Sequence, residues 1–169
     1  VNSSNGKPII EVYTSIIEKL GLIDGNTNIK ISGGIVDGNV FGGSNGEVAS
    51  ITGSSNISIT GGTINKSVYG GGNKAYVSID STVSVTGGTV KGTVFGGGNE
   101  AAVKGNSSVT IENVTLKDVY GAGNLAVVEG DILVNVSNAT ISNMYAGANQ
   151  ADINGDVVIY IDKSTLPNI

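Results

Sequence analysis

From Asn26 onward, apolar residues alternate with polar ones in short runs, and the runs recur. The first run of each unit carries Ile29 and Ile31, then Ile57 and Ile59, Val83 and Val85, Val109 and Ile111, Val134 and Val136, and Ile159 and Ile161. Alternation of period two places each pair on one face of a strand. A Gly-Gly corner follows in the early units (Gly33-Gly34, Gly61-Gly62, Gly87-Gly88), and after it a second apolar column of Val36, Ile64, Val90, Leu116, Ile141 and Leu166. A third strand carries Ala75 and Val77, Ala101 and Val103, Ala126 and Val128, and Ala151 and Ile153. In the first unit that pair is Ala49 and Ile51, displaced by two residues, which predicts a small bulge or longer turn near Gly46-Glu47.

Between the second and third strands of each unit stands one signature, written five times. The copies are Val40-Phe41-Gly42-Gly43-Ser44-Asn45, Val68-Tyr69-Gly70-Gly71-Gly72-Asn73, Val94-Phe95-Gly96-Gly97-Gly98-Asn99, Val119-Tyr120-Gly121-Ala122-Gly123-Asn124 and Met144-Tyr145-Ala146-Gly147-Ala148-Asn149. The aromatic falls at 41, 69, 95, 120 and 145, in steps of 28, 26, 25 and 25. A fixed period of this size marks a repeat architecture. Three short strands per turn predict an all-β, right-handed parallel β-helix of about six coils; left-handed versions show strict six-residue units, absent here. At about 4.8 Å per coil the rod is roughly 25 to 30 Å long. The repeats span 26–169. Residues 1–25 form an N-terminal tail and cap: Pro8 to Leu20 reads as a short amphipathic α-helix, with Ile9, Val12, Tyr13, Ile16, Ile17 and Leu20 at helical spacing and Gly21 just past its end. Lying across the open end of the coils, it would cover their core.

Composition narrows the chemistry. Nine lysines with no arginine, against fourteen acids, give a net charge of -5 and no basic patch for a phosphate backbone, so nucleic acid is excluded as a partner. With neither His nor Cys, imidazole-based catalysis and soft-metal sites are excluded as well. No catalytic, cofactor-binding or metal-binding constellation is present, and no cofactor is expected. No run of about 18 apolar residues predicts membrane insertion. The first residues lack the charged-then-apolar pattern of a signal peptide, which suits a mature or excised piece of a larger protein.

Through its Val/Met-aromatic-Gly/Ala-rich-Asn copies, the stretch 26–169 resembles the Gly-rich parallel β-helix repeat regions of bacterial cell-surface and adhesin-like proteins, whose repeats read Thr-Val-x-Gly-x-Val-Tyr-Gly-Gly-Gly-Asn. The resemblance implies an extracellular or cell-surface location and a non-catalytic structural or adhesive role, with a host or matrix glycan or protein as partner. A carbohydrate-binding module is the first alternative and a β-helix polysaccharide-degrading enzyme the second.

Three columns are candidates for function. Phe41, Tyr69, Phe95, Tyr120 and Tyr145 are either an outward strip on which sugars stack, with Tyr69, Phe95, Tyr120 and Tyr145 as the ligand strip, or part of the core. Counting back by twos from Ala75 and Val77 points Tyr69 inward. Asn45, Asn73, Asn99, Asn124 and Asn149 form a second column, read as a structural ladder of stacked amides in residues that tolerate left-handed turns. Thr63, Thr89, Thr115, Thr140 and Thr165 form an outward column of the kind exposed sheets carry. Calcium-binding nonapeptide turns would need Asp where Ala75, Ala101, Ala126 and Ala151 stand. The acids Asp80, Glu100, Asp118, Glu129, Asp131, Asp152 and Asp156 are scattered, and they read as solvated charges rather than as the paired carboxyls a glycosidase needs. The open edge of the last coil also invites end-to-end self-association.

Overall fold

The computed structural model describes residues 22–169. The capping helix expected over 8–20 therefore lies outside the described residues. In chain order the strands are β1 (Thr27–Val36), β2 (Val40–Phe41), β3 (Ser55–Ile64), β4 (Val68–Tyr69), β5 (Ser81–Val90), β6 (Thr93–Phe95), β7 (Ser107–Glu112), β8 (Thr115–Tyr120), β9 (Ile132–Ser137), β10 (Thr140–Tyr145) and β11 (Val157–Asp162). Odd-numbered strands form a six-stranded sheet, β1-β3-β5-β7-β9-β11, and even-numbered ones a five-stranded sheet, β10-β8-β6-β4-β2. Every pairing is parallel. The third side is thinner than the sequence suggests: single bridges run Ile23, Ile51, Val77, Val103, Val128, Ile153. The molecule is thus a parallel β-solenoid of about five turns, with a sixth strand on its first side only.

Its core lies where the three apolar columns converge. Ile57, Ile59, Val83, Val85, Val109, Ile111 and Val134 from the first sheet are 0–1% exposed, as are Val68, Val94 and Val119 from the second and Ile51, Val77, Val103 and Val128 from the third side. Each aliphatic packs on its counterpart one coil away, so a coil is completed only by its neighbours.

The corner between the sheets changes along the rod. In the first three coils Gly34, Gly62 and Gly88 take φ of +79°, +84° and +78°, and the ten-residue strands run through the bend with a register shift. From the fourth coil the left-handed residue comes one place earlier, as Asn113, Asn138 and Lys163 (φ 57°, 48° and 46°). The freed position then turns Val114 or Ala139 into the core. Three residues separate Val90 from Val94, but only two separate Leu116 from Val119. That loss shortens the step from 26 to 25. The displaced pair in the first coil is a turn at Glu47-Val48, closed by the Ala49 N–H donating to the Gly46 carbonyl, as expected.

Buried serines complete the interior. Ser55, Ser81 and Ser107 are fully buried, and their hydroxyls donate across the coil to the carbonyls of Gly70, Gly96 and Gly121. Thr27 does the same toward Gly42, and in the fifth coil Ile132 takes the place in the column. The repeated hydroxyl two residues before each first-strand aliphatic was the available signal, which the pattern of apolar residues alone did not expose.

Candidate functional site

The aromatic column is the most conspicuous surface feature. Val68, Val94, Val119 and Met144 face the core at 0–1% exposure, so the residue following each of them turns to the other side of its strand. The inward count from Ala75 is corrected on this point: it assumed an extended chain through Gly70–Asn73, whereas the chain bends there. Tyr69 and Phe95 are nevertheless buried, at 9% and 5%. The reason is mutual cover. From Phe41 to Tyr145 successive ring centroids lie 4.9, 4.9, 5.0 and 4.5 Å apart, with planes within 4–17° of parallel. Exposure grows toward the C-terminal end, where Tyr145 reaches 44%. A sugar stacks on a free ring face. Within the ligand strip the neighbouring rings occupy the faces of Tyr69, Phe95 and Tyr120, and the outer face of Tyr145 is left.

Burial pushes the Tyr69 hydroxyl above the usual phenol range, and a hydrogen bond with Ser67 opposes the shift. Tyr120 is raised first by burial, then by the negative charge of Tyr145 and Asp118 and by its hydrogen bond with Tyr145. A phenol raised in the folded state binds its proton more tightly there than in the unfolded chain. Its contribution to stability is complete below the unfolded value of about 10 and is lost as pH rises through the folded value. Thermal melts should accordingly be flat near neutrality and fall above about pH 10. Tyr69→Phe with Tyr120→Phe should blunt that fall. An unchanged alkaline slope in the double variant would remove the stacked tyrosines as its source.

The asparagine column is a continuous amide ladder. Each Nδ2 donates to the Oδ1 of the preceding coil: Asn73 to Asn45 at 2.6 Å, Asn99 to Asn73 at 2.7 Å, Asn124 to Asn99 at 2.8 Å and Asn149 to Asn124 at 2.9 Å. The expected structural role holds, although its stated conformational reason does not. Left-handed asparagines occur instead at Asn113 and Asn138.

Three of the acids have a role beyond solvated charge. A second ladder runs up the corner before the first sheet, where side-chain oxygens accept the backbone N–H one coil on. Asn26 accepts from Ser54 at 2.8 Å, Ser54 from Asp80 at 3.3 Å, Asp80 from Asn106 at 2.7 Å, Asn106 from Asp131 at 2.8 Å and Asp131 from Asp156 at 2.9 Å. Asp118 accepts from the Asn143 amide at 2.7 Å. Asp80, Asp118 and Asp131 therefore also fasten coil to coil, while Glu100, Asp152 and Asp156 are exposed as expected. Glu129 pairs with Lys104 at 2.6 Å, and that ammonium also lies 5.8 Å from the Tyr76 ring centroid. A shallow groove of about 280 Å³ follows the same corner, bordered by Asp80, Asn106, Asp131, Thr82, Ser108 and Leu133. Its carboxylates, Asp80 and Asp131, already accept backbone N–H groups of the next coil. The threonine column is outward as expected, with Thr89, Thr115, Thr140 and Thr165 exposed and Thr63 half-buried.

A scan of family models finds none that matches, and neither a curated protein nor a solved structure matches the chain.

Proposed function

We propose that the chain is a non-catalytic spacer and display module of a secreted or surface-anchored bacterial protein, the role implied by its resemblance to adhesin-like repeat regions. One observation carries this reading: the recurring polar and aromatic side chains are committed to the neighbouring coil. The amide ladder, the corner ladder and the ring stack all run along the rod axis. Groups held this way lengthen and stiffen a rod, and they leave few donors or ring faces for a ligand. The alternatives are weaker on the same ground. A carbohydrate-binding module would rely on Tyr145 and Tyr160, the exposed rings near the C-terminal end, and a polysaccharide-degrading enzyme on acids that already hold backbone N–H groups.

Purified chain applied to an array of glycans and matrix proteins should give no reproducible hit. A hit abolished by Tyr145→Ala or Tyr160→Ala, with the melting curve unchanged, would replace the spacer by a binding module. Antibodies to the chain should label intact producing cells; labelling only after lysis would remove the surface assignment.

A further inference from the structure

The C-terminal end of the solenoid is built unlike the rest. Strand β11 is the edge of the six-stranded sheet and bonds only to β9. Its inward residues Val157 and Ile161 are 38% and 43% exposed, whereas their register partners Ile132 and Val136 are 1% and 2%. The outward side is apolar as well. Tyr160, 63% exposed, continues a column that elsewhere reads Lys30, Ser58, Ser84, Thr110 and Asn135. A strand apolar on both faces and open along one edge is a template for another strand. The second sheet is closed at this end by the chain itself, since Thr165 bridges Thr140 and the Asn168 carbonyl accepts the Met144 N–H.

The corner ladder identifies the occupant, because it has direction. The corner column begins at Asn26 and ends on the carboxylate of Asp156. Two C-terminal ends brought together would set acceptor against acceptor. A C-terminal end brought to an N-terminal one meets the Asn26 N–H, and the corner ladder continues. Charge agrees. In the register used by every other coil, Thr27 follows Val157 and Lys30 falls opposite Tyr160, diagonal to the exposed carboxylate of Asp162. A lysine reaches a diagonal partner about 7–8 Å away.

We propose that the chain assembles head to tail, β11 of one copy adding in parallel register to β1 of the next. Such a contact is heterologous and does not close, so it grows linear rods of constant width. The competing occupant of the β1 edge is the chain's own segment 8–20.

Sedimentation velocity and electron microscopy of the full chain, from low micromolar to millimolar concentration, test this. Rods should lengthen with concentration at fixed width. Tyr160→Lys, an exposed change that keeps the melting curve, sets like charges directly opposite and should weaken association about tenfold. Adding Lys30→Glu to the same chain should restore it to within about threefold of the parent, because the two ends attract again. A single species of constant size at all concentrations would overturn the proposal and assign the β1 edge to segment 8–20. Association weakened by Tyr160→Lys but not rescued by Lys30→Glu would overturn it in favour of pairing between C-terminal ends.

Discussion

Replacing Gly96 by valine should leave a chain that does not fold cooperatively at room temperature. The glycine sits where the chain leaves the second sheet, fully covered. A Cβ built on it meets the Gly121 carbonyl oxygen of the next coil and the Ser107 hydroxyl, and it lies 2.7 Å from Cγ2 of Val109. The first of these is backbone, which cannot swing aside. Its displacement would break the stacking of the third coil on the fourth, together with the Ser81 hydroxyl bond to the Gly96 carbonyl at 2.6 Å. A loss above about 4 kcal/mol is therefore expected, against a total of roughly 5 to 15 for a domain. Gly33→Ala is the control, since an added Cβ there has nothing within 4 Å and the backbone is not left-handed; it should change stability by less than about 1 kcal/mol. Urea unfolding followed by circular dichroism reads both. A folded Gly96→Val chain with a near-parent midpoint would show that the coils can separate locally at small cost, against the close stacking described above.

Truncating Ile111 to alanine should cost about 2 to 5 kcal/mol, and Ile111→Val only about 0.5 to 1.5. Ile111 is fully buried in β7, with Val85 of one coil below it and Val136 of another above. The surrounding strands are held by ladders on both sides, so the cavity has little freedom to collapse. In a one-dimensional stack the damage falls on two coil interfaces at once. Hydrogen exchange resolved by peptide should show protection lost first in β5, β7 and β9. Loss confined to the chain ends, with a shift in stability below about 1 kcal/mol, would contradict a tightly packed interior at that position.

Both expectations rest on residues whose importance differs in how far it could be read beforehand. The aliphatic pairs were legible because period-two alternation is a local property of an extended chain, and the five signatures supplied the register that lays one coil on the next. The asparagine ladder was legible for the same reason: identical polar residues at one coil position have only each other to meet. The aromatic column was legible as a column, but its direction stayed open between outward strip and core. Whether Tyr69 lies inside or outside depends on the bend at Gly70–Asn73, and glycine imposes no direction on the chain. Its burial comes from neighbouring rings 4.9 Å away, a relation between residues 26 and 28 positions apart.

The acids show the limit most clearly. Asp80, Asn106 and Asp131 differ in charge and so do not look like one column in the linear chain. In space they perform one task, accepting a backbone N–H, which an aspartate, an asparagine or a serine oxygen can do equally well. Sequence by itself determined the repeat, the parallel β-solenoid and the three apolar columns, because burial demands the same residue class at every coil. Only the tertiary structure decided which unlike polar groups are fastened to one another, because hydrogen-bond partners are set by position in space. The open edge of the last coil was legible too; what the structure adds at β11 is that its inward Val157 and Ile161 stay 38% and 43% exposed, because nothing above them completes the coil.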